Sequence, residues 1–521
     1  MDHGQWTTNH GTNFAPHNGM IRIPRSLAPI GLGAFVLVGA GSLPKPLHPP
    51  HRTHAAAHSA RPAWGNPVGA SALAADVASA LASHTRSGQW GAIIVSLTRG
   101  DTLFSHNADA PMEPASTMKM YTSAVALEQF GPFYSFRTPV LRDGEIAADG
   151  SLAGNLYLKG VGDPSIGSRF WHDEEPMDVL ARQIVASGIK HVRGDIIGDA
   201  TEFDDQLVPD GWKTSYLGAA YAAKVSALSL NENLVWVVVT PDGNKADVTL
   251  DPATTTIPLE SSVSLYRGSG GRIKAAYRTD GTIVVRGSIG SHSAPLRYSL
   301  VVANPAMFAA GALRASLQKL GVQIDGQTRL GPTPPSAKPI AAIASPPLAQ
   351  IIGEMDRESI NIFAELLFRA AAHAALGKPG SAETGLENLR NFLVHKVGTS
   401  PNVVDVSDGS GLSPLDHVTP RSMVQLLSYV HHADWGPVFH AALPVEGESG
   451  TLKRHGKGAP SRGNLHAKTG TTNTIAALGG YVTAINGEVL AFSLIYNGND
   501  RWNAKAAMDQ IGATMAQFVR Q

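Results

Sequence analysis

Residues 113–132, EPASTMKMYTSAVALEQFGP, are the stretch from which the fold of this chain can be worked out. Their apolar residues recur at helical spacing, and a closing Gly-Pro pair ends the pattern, which predicts a helix over about 114–130. Ser116 and Lys119 lie one turn apart in the first turn, so their side chains should share one face. Backbone N–H groups of a first turn have no acceptor within the helix, and the helix dipole is positive there.

This placement suits nucleophilic catalysis. A serine hydroxyl is a poor nucleophile until a base takes its proton, and a lysine can be that base once burial or a nearby cation lowers its pKa. Three further Ser-x-x-Lys pairs begin at Ser42, Ser187 and Ser316. They lie in an export segment, at a predicted helix C-terminus and late in a predicted helix, where a backbone N–H is already used. We therefore take Ser116 as the candidate nucleophile and Lys119 as its base.

Two short motifs supply candidate partners. Lys-Thr-Gly occurs once, at residues 468–470 on a predicted strand. Lys468 there could bind a ligand carboxylate, Gly470 leaves room for a substrate backbone, and the N–H of Thr471 can face an oxyanion. The alternative is a solvent-facing strand end without a ligand.

Ser-x-Asn occurs four times, and one copy lies between two predicted helices, at Ser359 and Asn361. A serine in this position also suits a helix N-cap, and both interpretations can hold together. In chain order the three motifs resemble S-x-x-K, S-x-N and K-T-G, the active-site triplet of penicillin-recognising serine enzymes. The middle residue of S-x-N is Ile360, where aspartate is frequent, but that position is variable.

The long gap between Ser116 and Ser359 indicates which group of these enzymes the chain resembles most. It is typical of low-molecular-mass class C penicillin-binding proteins, the D-alanyl-D-alanine carboxypeptidase/endopeptidase family, in which extra domains are inserted after the first motif. Further similar stretches follow in order over residues 71–521. They are GNLYLKGVGDPSI (154–166), YAAKVSALSLNEN (221–233), SINIFAELLFR (359–369), DGSGLSP (408–414), LPVEGESGTLKR (443–454) and HAKTGTTNTIAALGGYV (466–482).

The resemblance implies an α+β fold whose catalytic domain is discontinuous. Residues 71–138 and 338–521 would form a penicillin-recognising serine transpeptidase-like domain, an antiparallel sheet flanked by helices. Residues 139–337 would form one or more inserted β-rich accessory domains. The sequence agrees, because short β-rich runs alternate with Gly/Asp turns in this block, and the Pro-rich stretch at 331–339 indicates a boundary.

By motif, the resemblance also implies the reaction. Ser116 would attack the carbonyl between the two terminal D-alanines of a peptidoglycan stem peptide, with Lys119 as base, and water would hydrolyse the acyl-enzyme. Ser359 would relay a proton to the leaving D-alanine, and Asn361 would orient Lys119 and the substrate amide.

The remaining motif residues would bind substrate. Lys468 and Thr469 would hold the terminal carboxylate, and the N–H groups of Ser116 and Thr471 would hold the oxyanion. β-Lactams would acylate the same serine and inhibit the enzyme. The mechanism requires no cofactor and no metal ion.

Two substrate contacts stay open. Ser410, in DGSGLSP, either lies close to substrate on the rim of the cleft or belongs to a Gly-rich turn. Tyr216 aligns where some members of the family have an aspartate that binds the free amino end of the stem peptide. Asp204, Asp205 or Asp210 could instead supply that charge from a shifted loop.

The N-terminal segments predict export. An apolar, Gly-rich run after two arginines predicts a signal peptide or anchor at residues 20–44, and so a location in the periplasm or another extracytoplasmic part of the envelope. Residues 1–19 are a possible upstream extension, with Met20 as the alternative start. Residues 45–70 are a Pro/His-rich linker. Membrane association would be peripheral or through the anchor.

Bulk composition excludes other classes. The 521 residues contain 42 Lys+Arg and 42 Asp+Glu, so no excess positive charge indicates a nucleic-acid partner. There is no cysteine, which excludes disulfides and thiolate chemistry. Two alternatives to a peptidase remain: a β-lactamase, and a non-catalytic cell-wall-binding protein of the same fold. The balance between carboxypeptidase and endopeptidase activity is also open.

Overall fold

The computed structural model describes residues 64–521. The predicted upstream extension, the leader and most of the linker lie outside the described residues. The last few linker residues differ from the prediction, because they are part of the fold. Val68 forms a β-bridge with Val519, and the N–H of Gly69 donates to the Val519 carbonyl at 2.8 Å, which ties this segment to the C-terminus.

Helices account for much of this part of the chain. They are α1 (Ala70–His84), α2 (Met118–Phe130), α3 (Pro176–Ala186), α4 (Pro305–Lys319), α5 (Leu348–Glu358), α6 (Asn361–Leu376), α7 (Ala382–Phe392), α8 (Pro420–His432), α9 (Gly436–Ala442) and α10 (Arg501–Ala516). Hydrophobic periodicity predicts all of them except α9, which is too short to show a helical period. Among residues 64–521, no helix combines the length and hydrophobicity that a membrane span requires.

The strands, in chain order, are β1 (Gln89–Ser96), β2 (Thr102–His106), β3 (Arg137–Arg142), β4 (Ser151–Leu152), β5 (Leu156–Lys159), β6 (His191–Val192), β7 (Ile196–Asp199), β8 (Leu234–Asp242), β9 (Lys245–Asp251), β10 (Leu259–Tyr266), β11 (Gly271–Tyr277), β12 (Ile283–Gly290), β13 (Leu296–Val301), β14 (Gln323–Ile324), β15 (Thr328–Leu330), β16 (Lys338–Ala344), β17 (Val404–Asp405), β18 (His417–Val418), β19 (His466–Thr471), β20 (Ile475–Thr483) and β21 (Val489–Asn497).

The sheet that carries Lys-Thr-Gly joins both ends of the described chain. Its order is β19-β20-β21-β1-β2, and all neighbours are antiparallel. Along β21, Phe492 and Leu494 pack in one core with α1 and α10, whereas Ala491 and Ile495 pack in the core formed with α2, α5, α6 and α8. Successive side chains of a strand point to opposite faces, so the sheet is covered by helices on both sides. β19, with the Lys-Thr-Gly motif, is an edge strand.

Helix α2, which follows the candidate nucleophile, is central to the helical half of the fold. Every residue from Met118 to Leu127 is buried, and the helix packs against α5 and α6. A helix buried on all faces needs no polar stripe, which explains the run of small and apolar residues after the Ser-x-x-Lys pair. Its first turn is therefore held firmly against the sheet and against the helix that begins at Asn361.

The middle block has its own core and its own sheets. A five-stranded sheet of order β15-β7-β5-β3-β16 is accompanied by three three-stranded sheets, and a hydrophobic core extends from Val140 to Ile343. β3 pairs with β16, with Arg137 opposite Ala344, so the chain enters and leaves the block in one antiparallel ladder. This ladder reaches a few residues beyond the predicted boundaries, whereas the division into domains stays a prediction.

Candidate active site

Ser116 is the middle residue of a 3₁₀ helix, Ala115–Thr117, which runs directly into α2. The preceding residue, Ala115, has a φ of 45°, a left-handed conformation that is strained for a residue with a side chain. It is held there by burial, since only 2% of Ala115 is exposed. Within residues 64–521, the first donor of the turn is the N–H of Thr117, to the Pro114 carbonyl, and no backbone carbonyl accepts from the Ser116 N–H.

Lys119 is fully buried beneath Ser116. Its Nζ donates to Ser116 Oγ at 3.1 Å, to Asn361 Oδ1 at 2.6 Å and to the Ser410 carbonyl at 2.8 Å. An ammonium group has three N–H donors, so these three contacts use all of them. After loss of one proton, the free lone pair can accept a proton from the neighbouring serine hydroxyl.

Lys468, on strand β19, is the second buried lysine of the site. It is fully buried, and its Nζ donates to Ser359 Oγ at 2.9 Å and to the Thr469 carbonyl at 3.0 Å. The structure therefore brings all three motifs together: Lys119 contacts the serine of the first motif and the asparagine of the second, and Lys468 contacts the serine of the second.

The backbone at Ser359 differs from the predicted helix N-cap. Ser359 is the C-cap of α5, with φ 58° and ψ 45°, and Ile360 is the N-cap residue of α6 without a side-chain cap. The left-handed residue turns the chain sharply between the two helices. As a result the Ser359 hydroxyl does not cap a helix and is directed to Lys468, while Asn361 begins α6 and reaches Lys119.

Burial shifts the pKa values of both lysines downward. Desolvation lowers the pKa of Lys119 to about 8, even though nearby carboxylates oppose this change. Desolvation, followed by the positive charge of Lys119, lowers the pKa of Lys468 to about 7. With pKa values of about 8 and about 7, part of each amine is neutral near neutral pH. That is the state in which a lysine can act as a base.

Several buried carboxyl groups near the two lysines raise the lysine pKa values less than fully charged carboxylates would. Burial raises the pKa of Asp356 to about 6 and that of Glu365 to about 7. The pKa of Asp416 is raised well above its usual value by burial and by the neighbouring Asp408. A carboxyl group that is protonated part of the time exerts less attraction on a lysine, which keeps the amines in the weakly basic range.

Two cavities meet at the nucleophile. One, of about 420 Å³, is lined by Asn361, Tyr216 and Tyr221 among others, and the second, of about 250 Å³, extends toward α10. Ser116, Ser359 and Thr471 line both. A substrate that crosses the junction would therefore place its scissile bond next to Ser116 with a part of the molecule on each side.

The Lys-Thr-Gly segment contributes differently at each residue. The Thr469 hydroxyl donates to Thr451 Oγ1 at 2.7 Å, and Thr469 and Thr471 line the cavity of about 250 Å³, whereas their contact with substrate stays a prediction. Gly470 is buried, and a Cβ atom there would lie 2.7 Å from the Pro114 carbonyl oxygen. The glycine is thus required for close packing of β19 against the residues before Ser116, and its role in the approach of substrate stays a prediction.

Ser410 lies under the cleft and not on its rim, which corrects the predicted substrate contact. The residue is fully buried, and its carbonyl accepts from Lys119. The carboxylate of Asp408 fixes this turn, since it accepts from the N–H groups of Ser410, Gly411 and Ser413 at 2.9, 2.6 and 2.7 Å. Asp408 is not among the predicted site residues, although the Asp-x-Ser-Gly pattern of an Asx turn is a signal for it.

The segment with Tyr216 reaches the site from the middle block. Tyr216 packs edge-on against Tyr221, with 5.7 Å between ring centroids, and the Tyr221 carbonyl accepts from Asn361 Nδ2 at 2.8 Å. The alternative acids lie elsewhere: Asp204 and Asp205 line a separate cavity. Neither lines the cavity beside Tyr216. The third acid, Asp210, accepts from Gln206 Nε2 at 2.8 Å.

The sequence of this chain is similar to those of known carboxypeptidases. Residues 73–518 match the model of the D-Ala-D-Ala carboxypeptidase 3 (S13) family. A D-alanyl-D-alanine carboxypeptidase of Actinomadura sp. (strain R39) is 32% identical over 447 residues, which cover 82% of this chain and 81% of the relative.

A solved structure agrees in fold. The crystal structure of penicillin binding protein 4 (dacB) from Haemophilus influenzae superposes with a TM-score of 0.70 at 24% identity, and the match covers 84% of this chain and 98% of that one. The same protein has been crystallised in complex with a β-lactam, a structure that matches with a TM-score of 0.65.

Proposed function

Because this chain belongs to the D-Ala-D-Ala carboxypeptidase 3 (S13) family, it is a serine-type D-alanyl-D-alanine carboxypeptidase, and we propose that Ser116 is the nucleophile of its reaction. The observation that supports this most directly is the contact of Ser116 Oγ with the buried amine of Lys119 at 3.1 Å. The substrate is a peptidoglycan stem peptide that ends in D-Ala-D-Ala.

In the acylation step, Ser116 Oγ forms a bond to the carbonyl carbon of the penultimate D-alanine, and its proton passes to neutral Lys119 Nζ. The carbonyl oxygen becomes an oxyanion between the N–H groups of Ser116 and Thr471. One such donor typically contributes about 10²–10³ in rate. The C–N bond then breaks, and the leaving amine receives a proton through the Ser359 hydroxyl, which Lys468 replenishes.

Deacylation uses the same groups in reverse. Lys119 first gives up to solvent the proton that it took from Ser116, and Lys468 takes one up from solvent. A water molecule then gives a proton to neutral Lys119 Nζ while its oxygen bonds to the ester carbonyl carbon, the bond from that carbon to Ser116 Oγ breaks, and Lys119 passes the proton to Ser116 Oγ. Asn361, fixed between Lys119 Nζ and the Tyr221 carbonyl, holds the lysine in place and orients the substrate amide. Lys468 and Thr469 bind the terminal carboxylate of the substrate.

The test is covalent labelling. A fluorescent penicillin should label the full chain, digestion and mass spectrometry should locate the adduct on Ser116, and Ser116→Ala should abolish both labelling and release of D-alanine from a defined stem peptide. A folded, unlabelled wild-type protein, or an adduct on another residue, would contradict the assignment. Rapid loss of the label from the wild type would instead favour a β-lactamase.

We further propose that the enzyme acts outside the cytoplasm. The support is the apolar leader predicted at residues 20–44, together with the extracytoplasmic location of stem peptides in the cell wall. Fusion of residues 1–70 to a reporter that is active only after export should give signal, and deletion of residues 20–44 from the fusion should remove it.

A further inference from the structure

The outer face of one sheet in the middle block carries charges that the fold does not use. Strands β10, β12 and β11 form this sheet, with β12 in the centre. Their inward side chains, among them Val263, Ile273 and Val285, pack in the core of the block, so alternate residues face outward. The exposed charged residues of the three strands are Glu260, Arg272, Lys274 and Arg286. Three of these four are cations.

The strand register places two of the cations side by side. Lys274 on β11 lies directly opposite Arg286 on β12, and Arg286 lies beside Ser262 on β10. Arg272 follows on the same face, opposite Ser288. Neighbouring strands are about 4.8 Å apart, so the charges of Lys274 and Arg286 repel each other. Like charges in opposed positions destabilise a sheet, and the fold alone therefore gives no reason for this pair.

None of the three cations is neutralised by a neighbouring carboxylate. The carboxylate on the same face, Glu260, accepts from Arg278 at 2.8 Å, and Asp280 pairs with the same guanidinium at 2.7 Å. Among residues 64–521, no carboxylate oxygen lies within 4.0 Å of a side-chain nitrogen of the three cations. The positive charge of this face is therefore available to an anionic partner.

The location and composition of the face narrow the class of partner. Of the described residues, none from β8 to β13 lines the two cavities that meet at Ser116, so the face lies outside the catalytic cleft. Surfaces that bind membranes combine cations with apolar side chains that enter the lipid. Within residues 259–290, Tyr266 is the one large hydrophobic side chain that is exposed, at 41%. These features favour a polar, anionic polymer over a lipid surface.

We propose that this cationic face, formed by Arg272, Lys274 and Arg286, binds carboxylates of intact peptidoglycan and so holds the enzyme on its polymeric substrate. The inference rests on the proposed function, in which every uncut stem peptide ends in a carboxylate. Many stem peptides project from one polymer, so negative charge repeats along it as positive charge repeats across the sheet. Each ion pair at an exposed surface is weak, but several made together bind a polymer more tightly than one.

The experiment measures sedimentation of the full chain with insoluble peptidoglycan from which phosphate polymers have been removed. The protein is first acylated with penicillin, so that the cleft is blocked. We expect the triple variant Arg272→Gln, Lys274→Gln, Arg286→Gln to bind at least about tenfold more weakly than the wild type. Wild-type binding should weaken as salt is added, because salt screens exposed charges. It should also be lost when the carboxyl groups of the peptidoglycan are amidated.

A matched triple variant removes three exposed cations elsewhere and gives the same net charge: Arg99→Gln, Lys245→Gln and Lys457→Gln. Its binding should stay within about twofold of the wild type, because the position of the charges decides binding and not their total. The single variant Arg286→Gln decides the question if the triple variant of the face does not fold. It should weaken binding about threefold, and Arg286→Lys, which keeps the charge, should retain most of the binding.

Release of D-alanine from two substrates separates this inference from the proposed function. The triple variant of the face should match the wild type on a soluble stem peptide and be slower on insoluble peptidoglycan. Equal binding by the two triple variants, an unchanged rate on the insoluble polymer, or binding that survives amidation would overturn the inference and leave the function intact. Binding only to peptidoglycan that retains its phosphate polymers, or only to vesicles of anionic lipid, would overturn it as well. A wild type that binds peptidoglycan but releases D-alanine from neither substrate would overturn the proposed function instead.

Discussion

The Nζ atom of Lys119 lies 2.6 Å from Oδ1 of Asn361, although 242 positions separate the two residues in the chain. The whole middle block is inserted between them, yet the first turn of α2 and the first turn of α6 meet. This contact fixes the direction of the Lys119 amine beside Ser116. It also makes the charge of the side chain at position 361 a direct control on the basicity of Lys119.

We predict that Asn361→Asp shifts the pH dependence of acylation. A carboxylate 2.6 Å from the amine would favour the charged lysine and raise its pKa above the present value of about 8. Since the neutral amine is the base, the rising limb of the acylation rate should move up by at least about one pH unit, which is about tenfold at pH 7. The measurement is the second-order rate constant for labelling by a fluorescent penicillin between pH 6 and 10.

Asn361→Ala is the matched control for that prediction. It removes the same hydrogen bond without adding a charge, so acylation should fall at every pH while the rising limb does not move upward. If the rising limb of the acylation rate lies at the same pH in Asn361→Asp and in Asn361→Ala, Lys119 is not the group whose ionisation controls acylation.

We also predict a stability difference that depends on pH. Lys119 has a pKa of about 8 in the folded protein and 10.5 as its ordinary value, so between these pH values the unfolded chain holds a proton that the folded chain has lost. Stability therefore rises with pH in this window, by at most about 1.4 kcal/mol per unit. Below pH 8 both states are protonated, and the burial of the charge opposes folding in full.

Lys119→Met lacks this titration, so the melting temperature of the wild type minus that of the variant should increase from pH 7.5 to pH 9.5. Calorimetry on both proteins in the same buffers measures it. The sign of the difference in melting temperature at a single pH is less informative, because replacing Lys119 with methionine also removes three hydrogen bonds. A difference that stays constant across this range would show that Lys119 is not neutralised by burial.

The sequence predicts which motif residues lie together in the structure, but not how several of them are held in place. The three motifs could be located because each is local and their order is specific, and the helices that carry them have clear periodicity. The left-handed backbone at Ser359, the burial of Ser410 and the role of Asp408 depend on contacts between segments far apart in the chain. No local pattern encodes which turn lies beneath Lys119, so these features became visible only when the segments were packed together.

Gly470 gives a third prediction. An added Cβ would lie 2.7 Å from the Pro114 carbonyl oxygen and 3.2 Å from Ala115 Cβ, so Gly470→Ala must push β19 away from the nucleophile turn. We expect penicillin acylation to fall at least tenfold and the melting temperature to drop, because the strained Ala115 loses its packing. Gly331→Ala is the control, since its nearest neighbour would be 3.6 Å away. Wild-type acylation by Gly470→Ala would contradict this packing role.

We predict that the side chain of Ser410 contributes little to activity and that its backbone carbonyl is the group that matters. The contact with Lys119 is made by the Ser410 carbonyl, and the Ser410 side chain is fully buried. Ser410→Ala keeps that carbonyl in place, so its acylation rate and its kcat/KM on a D-Ala-D-Ala peptide should stay within about twofold of the wild type, in contrast to the loss expected for a substrate-binding serine.

Asp408→Ala should behave in the opposite way. It removes the acceptor for three backbone N–H groups of the turn and for Trp212 Nε1, which donates at 2.7 Å. Each buried donor left without a partner costs about 1–3 kcal/mol, and the Ser410 carbonyl is no longer held against Lys119. We expect a large drop in melting temperature together with slower acylation. Trp212→Phe removes a single donor, so its melting temperature and acylation rate should lie between those of the wild type and Asp408→Ala. A strong effect of Ser410→Ala together with a weak effect of Asp408→Ala would instead indicate that the Ser410 side chain contacts substrate.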